Sequence, residues 1–243
     1  MTIRAIFYDA GHTLVEPRPG IDELWDFLGH QLGVAIGAEH RGAFPDVGAF
    51  FYSRLGEDGL GAYASDAAAR NFWSEYYAYA LRDAAPGVPR EQLLSAGSAM
   101  FDWYNDPAQW RPFPDVLDAL REAHRRGLIQ GVVSDWGTDL LPILHAHEIT
   151  LEMDFVVASA VMGSSKPHRE IFLYALGRAG VDPAEAVYVG DSYLADVLGS
   201  RAAGLHPVLI DREGKAPLID APVVHALTQV LDVVDAIDTG TNA

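Results

Sequence analysis

The sequence contains no cysteine, and this absence removes several kinds of chemistry at once. Without cysteine the chain can form no disulfide, no thiolate metal site and no thiol nucleophile. Lysine is nearly as scarce, since Lys166 and Lys215 are the only two, and a reaction that needs an amine has few candidates. The sequence also lacks a run of about 20 apolar residues, the length that a bilayer-spanning helix needs. We therefore expect chemistry based on oxygen ligands, and no membrane partner.

Positive charge is also in short supply. Lysine and arginine together number 17 against 34 acidic residues, which gives a formal net charge of -17. Such a field repels nucleic acid and anionic membranes and attracts cations. The first eight residues show no long apolar core with a cleavage site, as a secretory signal would. We expect a cytoplasmic protein, monomeric or homodimeric, with no nucleic-acid partner.

Short apolar runs bounded by turn residues predict buried strands. These runs cover residues 3–8, 129–133, 155–158, 186–189 and 207–210. Helix-like segments lie between the later runs and end near glycines that can adopt a left-handed conformation. They cover residues 115–126, 167–179 and 194–203. Alternation of strand and helix predicts an α/β, Rossmann-like core with a parallel sheet covered on both faces.

Residues 18–110 interrupt this alternation, because they contain several segments of helical periodicity and no convincing strand. We predict a helical domain over 18–110, inserted into a core formed by residues 1–17 and 111–243. Proline-containing segments at 16–20 and 110–114 are the expected hinges, since proline restricts its own backbone and that of its predecessor.

Polar residues follow the predicted strands at the positions where open α/β sheets bind ligands, just beyond the carboxyl ends. They are Asp9, Thr13, Ser134, Asp135, Lys166, Asp191 and Asp196. A carboxylate such as Asp9 can attack phosphorus only if the phosphoryl charge is neutralised, and a hard cation held by oxygen ligands does this well. Asp9 and Asp191 would supply two of those oxygens.

Four segments, "FYDAGHTL", "GVVSD", "SSKPHREIF" and "VYVGDSYLADVLGSRAAG", resemble the four motifs of the haloacid dehalogenase-like (HAD) hydrolase superfamily, in the same order. The insert between the first two resembles the C1-type cap of that superfamily. The resemblance covers nearly the whole chain and is greatest to its C1-capped, HDHD3-like phosphatase branch. It implies a HAD core with an α-helical C1 cap.

The resemblance also implies a magnesium site. Asp9, the backbone carbonyl of Gly11 and Asp191 would bind Mg²⁺, and Asp196 would hold the metal's waters or the lysine. Oxygen ligands of this kind suit magnesium. Asp9 would form an acyl-phosphate that is later hydrolysed.

The remaining motif residues would handle the substrate. By the same resemblance, Ser134 and Lys166 would bind the phosphoryl oxygens, one as a hydroxyl donor and one as a point charge. Thr13 would orient the nucleophile, and Asp135 and Trp136 would face the substrate. The expected substrate is a small phosphorylated molecule.

One family residue is missing. Most phosphatases of the superfamily carry a second Asp two places after the nucleophile, where this chain has Gly11. General acid–base help is typically worth about a hundred- to ten-thousand-fold in rate. His12 and Asp135 are alternative proton donors, although a histidine in such a turn more often faces away.

Three other functions lack that acid too. A 2-haloacid dehalogenase needs no proton for halide, but it uses no metal and lacks the carboxylate that Asp191 provides here. Phosphonoacetaldehyde hydrolase needs a cap lysine, and residues 18–110 contain none. The third is a metal-dependent, phosphatase-like branch of C1-capped, HDHD3-like proteins that has a non-acidic residue at this position. A rival from another class is a non-catalytic module that binds a phosphorylated ligand or a protein. We predict a Mg²⁺-dependent phosphatase.

Aromatic residues concentrate in the insert. Phe72 and Tyr76, like Trp73 and Tyr77, stand four apart and share a helix face, which packing alone explains. Phe50, Phe51, Tyr52, Phe101, Trp103 and Tyr104 add to this group. The alternative is that some of these rings line a lid over the site and select an apolar or ring-bearing substrate.

Overall fold

A parallel sheet forms the centre of the fold in this computed structural model, which describes residues 2–50 and 63–241. The strands are β1 (Ala5–Tyr8), β2 (Val15–Pro17), β3 (Trp110–Pro112), β4 (Ile129–Ser134), β5 (Phe155–Ala158), β6 (Ala186–Gly190), β7 (His206–Ile210) and β8 (Val223–Val224). Six of them form one sheet in the order β5-β4-β1-β6-β7-β8, with every neighbouring pair parallel. The predicted α/β, Rossmann-like fold is confirmed.

Helices cover both faces of this sheet. The longer helices of the described residues are α1 (Ile21–Leu32), α2 (Asp66–Ala84), α3 (Arg90–Tyr104), α4 (Val116–Arg125), α5 (Leu140–Ala146), α6 (Arg169–Ala179) and α7 (Val230–Thr239). Of these, α4, α5 and α7 cover one face of the sheet and α6 covers the other. Gly127 and Gly180 have φ of 74° and 64° just beyond α4 and α6, the left-handed geometry expected where these helices end. Among the described residues, no helix combines the length and apolar character needed to cross a membrane.

Alternate residues of the central strand face opposite layers, as strand geometry requires. Ile6 and Tyr8 join an apolar cluster with residues of α4, α5 and α7. Ala5 and Phe7 join a second cluster with residues of α6. All four β1 residues are buried, which explains why the strand is an uninterrupted apolar run.

Helices α1, α2 and α3, which we call the helical segment (residues 21–32 and 66–104), have an apolar cluster of their own. Leu28, Leu81 and Met100 are fully buried within it. Aromatic pairs reinforce this packing, for example Phe50 against Phe72 with ring centroids 5.6 Å apart. Phe51 and Tyr52 lie outside the described residues.

The segments expected to be hinges contain a short antiparallel ribbon. Strands β2 and β3 pair with Glu16 opposite Arg111 and Pro17 opposite Trp110. Arg111 Nε also donates to Glu16 Oε1 at 2.9 Å. A two-stranded ribbon tolerates proline because each strand has a free edge. No strand was expected between residues 18 and 110, but β3 begins at Trp110, so that expectation was wrong at this residue.

The helix expected over residues 194–203 is also different. A π-helical turn spans Tyr193–Leu198, and a single α-helical turn follows over Gly199–Ala202. Ser192 caps this turn, since its Oγ accepts from Ala195 N at 3.2 Å. Wide turns of this kind are frequent at functional sites.

Candidate active site

Asp9 lies immediately beyond β1, at the carboxyl edge of the sheet. Its backbone N–H donates to Val189 O at 2.8 Å, which continues the β1–β6 ladder by one residue. Strand β1 pairs with β4 on one side and with β6 on the other, so Asp9 lies between the ends of these two strands. Strand β4 ends at Ser134, and Asp191 directly follows β6. The topology therefore brings together residues that are far apart in sequence.

Lys166 is the only lysine near this edge, and it is 4% exposed. Its Nζ donates to Asp9 Oδ1 and to Asp196 Oδ1, both at 2.6 Å, and to the Tyr188 hydroxyl at 3.2 Å. An ammonium has three hydrogens, so these three contacts use all of its donors, and a ligand oxygen would bind the lysine in place of one of them. Burial alone would lower the pKa of Lys166, but the charges of Asp196 and Asp9 outweigh it and hold that pKa well above its usual value.

Asp196 is held by the π-helical turn and is 1% exposed. Its Oδ2 accepts from Ser192 N at 2.9 Å, while its Oδ1 accepts from Lys166. Burial raises the pKa of Asp196, and the lysine charge partly offsets that rise. Asp196 was expected to hold either the waters of the metal or the lysine, and its contacts in the structure are with the lysine.

The carboxylates of Asp9, Asp191 and Asp196 form an acidic cluster. One oxygen from each lies within 4.8 Å of the others, close enough to share a metal ion. Asp191 opens towards solvent at the edge of the cluster. Desolvation by the surrounding atoms, and then the charges of Asp9 and Asp196, raise the pKa of Asp191 well above its usual value. A donor set made of carboxylates, held together against their repulsion, fits a hard divalent cation such as Mg²⁺.

Asp135 follows Ser134 and lines the same cavity. Its Oδ1 accepts from the backbone N–H of Lys166 at 2.9 Å. Burial raises the pKa of Asp135 to about 7, against the lowering effect of the Lys166 charge. This carboxyl can therefore be protonated near neutral pH.

Thr13 is fully buried, and its Oγ1 has no hydrogen-bond partner among the residues that the structure describes. The hydroxyl therefore makes no contact with Asp9 of the kind expected for an orienting residue. The backbone oxygen of Thr13 accepts from Arg212 Nη2 at 2.7 Å, which ties the loop after Asp9 to the chain after β7. Thr13 is not among the residues that line the cavity described below.

Gly11 and His12 complete the loop. A Cβ on Gly11 would lie 3.3 Å from Cζ3 of Trp136, so the indole occupies the space beside the position of the missing acid. His12 is exposed, has a φ of 54° and donates its backbone N–H to Val15 O at 2.7 Å. Trp136 rests against Trp110, with ring centroids 4.8 Å apart.

A cavity of about 490 Å³ lies between this edge of the sheet and the helical segment. We call its polar side the floor, which is made by Asp9, Ser134, Asp135, Lys166 and Asp191. The opposite side, here called the roof, comes from the helical segment and the residues beside it. Its aromatic members are Phe44, Tyr63, Phe72, Trp73, Tyr76, Tyr77, Phe101 and Tyr104.

Two polar contacts join the roof to the sheet. Asp66 accepts from Thr138 twice, from the backbone N–H and from Oγ1, each at 2.8 Å. Ser159 Oγ donates to Tyr63 O at 2.7 Å. The sequence analysis identified none of these residues, nor Tyr188 and Arg212, because each contact depends on packing between distant segments.

Residues 3–204 match the family model described as haloacid dehalogenase-like hydrolase. The chain belongs to this family. A HAD-like hydrolase domain-containing protein 3 from Mus musculus is 34% identical over 175 residues, which cover 70% of this chain and 68% of the mouse protein. The human protein of that name is 33% identical over 156 residues, 63% of this chain, and the match spans 62% of its length.

Other HAD relatives include enzymes named as phosphatases. The phosphoglycolate phosphatase of Salmonella typhi is 26% identical over 206 residues, which cover 83% of this chain and 79% of that protein. Among solved structures, the HAD hydrolase YfnB from Bacillus subtilis, bound to magnesium, superimposes with a TM-score of 0.76 at 13% identity. The match covers 97% of this chain and 100% of that one and shows a shared fold. The chain is thus a HAD hydrolase with phosphatase relatives.

Proposed function

We propose that this HAD hydrolase is a Mg²⁺-dependent phosphatase that hydrolyses a small phosphorylated molecule through an aspartyl-phosphate on Asp9. The observation that carries the proposal is the arrangement around Lys166. The lysine touches Asp9 and Asp196 at 2.6 Å, and Asp191 completes a cluster of three carboxylates beside it. The three carboxylates suit a cation and the lysine suits a phosphoryl group, so the site provides for both.

Charge balance supports the metal. Asp9, Asp135, Asp191 and Asp196 face a single ammonium, so a phosphate dianion would meet net repulsion. Mg²⁺, bound by Asp9, Asp191 and the carbonyl of Gly11 with Asp196 close by, would neutralise phosphoryl charge and favour attack at phosphorus. The Ser134 side chain, which lines the cavity, is available to the ligand's oxygens.

The residues of the chain then have defined tasks. A carboxylate oxygen of Asp9 forms a bond to phosphorus while the bond to the leaving-group oxygen breaks. Ser134 and Lys166 bind the phosphoryl oxygens, and Asp196 keeps the lysine charged and in place. Water then hydrolyses the acyl-phosphate, which releases phosphate and restores Asp9. Asp135 and Trp136 contact the leaving group.

We further propose that residues 18–110 act as a C1-type cap on a core made of 1–17 and 111–243. The separate apolar cluster of the helical segment and its position over the cavity support this division. Opening of the cap would admit substrate, and its closure would exclude water. A cytoplasmic location and a monomeric or homodimeric state complete the proposal.

A panel of metabolite phosphates, assayed with and without magnesium, tests this function. We expect magnesium-dependent phosphate release that Asp9→Asn abolishes. Asp232→Asn, a change of the same kind on the exposed face of α7, is the matched control and should retain full activity. Binding without release on every substrate would support a non-catalytic module instead. Chloride release from a 2-chloroacid without metal would support a dehalogenase.

A further inference from the structure

We infer, resting on the phosphatase function proposed above, that the site is built for aryl phosphate monoesters, whose leaving group is an uncharged phenolic ring without a carboxylate. Two separate features of the cavity lead to this substrate class. One is the composition of the roof, and the other is the replacement of the second acid by Gly11 beneath Trp136.

The roof offers ring surface. Several of its polar atoms already have partners within the protein, since the Tyr76 hydroxyl donates to Pro45 O at 2.7 Å. In the same way, Nε1 of Trp110 donates to Tyr104 O at 2.6 Å, and Tyr63 is hydrogen-bonded to Trp73. A ligand in the cavity therefore meets aromatic carbon, which favours stacking or edge contacts with another ring.

The described residues of the roof carry no positive charge. Of the lining residues that the structure describes, only Lys166 and His12 can carry a positive charge, and both belong to the sheet side of the cavity. The three donors of Lys166 are directed to Asp9, Asp196 and Tyr188. A carboxylate on the leaving group would thus lie against aromatic rings, with no cation to pair with among the described residues, which is costly.

The absence of a carboxyl at Gly11 also favours aryl phosphates as substrates. With no carboxyl at this position, and with Cζ3 of Trp136 3.3 Å from where a Cβ would lie, position 11 supplies no proton to the leaving oxygen. Asp135 is the one carboxyl of the floor that we do not assign to the metal, and its Oδ1 already accepts from the Lys166 N–H. A phenol has a pKa of about 10, as tyrosine does. An alkyl alcohol resembles water and is a far weaker acid than a phenol. A phenolate can therefore depart first and take its proton from water afterwards, whereas an alkoxide departs far more slowly.

Three esters separate these two features when phosphate release is measured with magnesium. Phenyl phosphate and benzyl phosphate share a ring but differ in leaving-group acidity. Benzyl phosphate and phosphoglycolate both release an alkyl alcohol, but the alcohol carries a ring in the first and a carboxylate in the second. We expect kcat/KM for phenyl phosphate to exceed that for benzyl phosphate by at least about 100-fold, the low end of the value of an acid. Benzyl phosphate should exceed phosphoglycolate by at least about 10-fold.

Val47 provides a matched pair of variants, because it lines the cavity and is 40% exposed. Val47→Arg should raise kcat/KM for phosphoglycolate relative to benzyl phosphate by about 10-fold, through a charge-assisted hydrogen bond. Val47→Gln, similar in length but neutral, should leave that ratio unchanged. Equal shifts in the two variants would contradict a charge-based origin of the preference.

The outcomes keep this inference distinct from the phosphatase proposal. If benzyl phosphate matches phenyl phosphate, another group acts as the acid and the leaving-group inference is overturned, while the phosphatase stands. If phosphoglycolate is preferred to benzyl phosphate, the ring inference is overturned. If none of the three esters releases phosphate while other members of the metabolite panel do, the aryl-ester inference is overturned and the phosphatase stands. If no substrate at all releases phosphate, the phosphatase itself is overturned. In that case calorimetry with benzylphosphonate and phosphonoacetate tests the cavity, and tighter binding of phosphonoacetate overturns the ring inference too.

Discussion

Replacing Gly11 by Asp supplies the carboxyl that most phosphatases of the family carry, and the structure indicates how Trp136 will limit the gain. General acid catalysis is worth about 100- to 10,000-fold, or roughly 3–5 kcal/mol of barrier. The new Cβ would lie 3.3 Å from the Trp136 ring, tighter than ordinary contact, and the rest of the side chain needs more room. Overpacking of this kind costs about 1–3 kcal/mol.

The cost cancels about 1–3 kcal/mol of the gain, so we expect the rise in kcat/KM for benzyl phosphate from Gly11→Asp alone to be about 5- to 100-fold smaller than an acid with room for its side chain would give. Trp136→Ala opens the space and loses the contact with Trp110, worth about 0.5–1.5 kcal/mol. In that background Gly11→Asp should raise kcat/KM for benzyl phosphate by about 100-fold or more, with a much smaller effect on phenyl phosphate.

Gly11→Asn in the same Trp136→Ala background is the control, because it has the same shape and no acidic proton. The assay is magnesium-dependent phosphate release from the two esters. A full gain from the single Gly11→Asp variant would refute the steric argument. An Asn variant as active as the Asp variant would refute the acid argument.

Three further predictions follow from the contacts around the site. Tyr188→Phe removes a buried hydroxyl that contacts Lys166. It should lower the free energy of unfolding by about 1–3 kcal/mol, measured by urea denaturation, and it should also lower kcat. Tyr8→Phe loses a buried hydrogen bond of similar length away from the floor, so it should lower stability alone; a similar fall in kcat would contradict the role given to Tyr188. Burial and neighbouring carboxylates raise the pKa of Asp191, so protons compete with magnesium for this carboxylate as the pH falls. The rise in Tm that magnesium causes should therefore be smaller at about pH 5.5 than at about pH 8. A larger rise at the lower pH would contradict this. Asp66→Ala removes both contacts with Thr138 and should raise KM for phenyl phosphate by about 3- to 10-fold, and an unchanged KM would mean that they do not hold the roof in place.

The sheet and the meeting of the floor residues were predictable because both depend on local signals. Short apolar runs identify buried strands, and the residue after each run must lie at the carboxyl edge. Asp9, Ser134 and Asp191 follow from this rule without knowledge of any side-chain contact. Their roles as nucleophile and ligands stay predictions.

Contacts made by long-range packing were not predictable in the same way. Strand periodicity predicts that Tyr188 is buried, but it does not indicate that its hydroxyl donates to Val133 O at 2.7 Å and lies beside a lysine. The Asp66–Thr138 contact joins residues 72 apart and depends on how the helical segment lies over the sheet. The orphaned Thr13 hydroxyl likewise became visible only when its surroundings were known.

The most direct test of the central claim is to trap the covalent intermediate. The protein would be mixed with magnesium and phenyl phosphate, quenched during turnover, and treated with borohydride, which reduces an aspartyl-phosphate to homoserine; peptide mass spectrometry would locate the change. The account predicts homoserine at position 9 alone, only when magnesium and substrate are both present. Turnover with no modified residue at that position, or turnover that persists in Asp9→Asn, would contradict it.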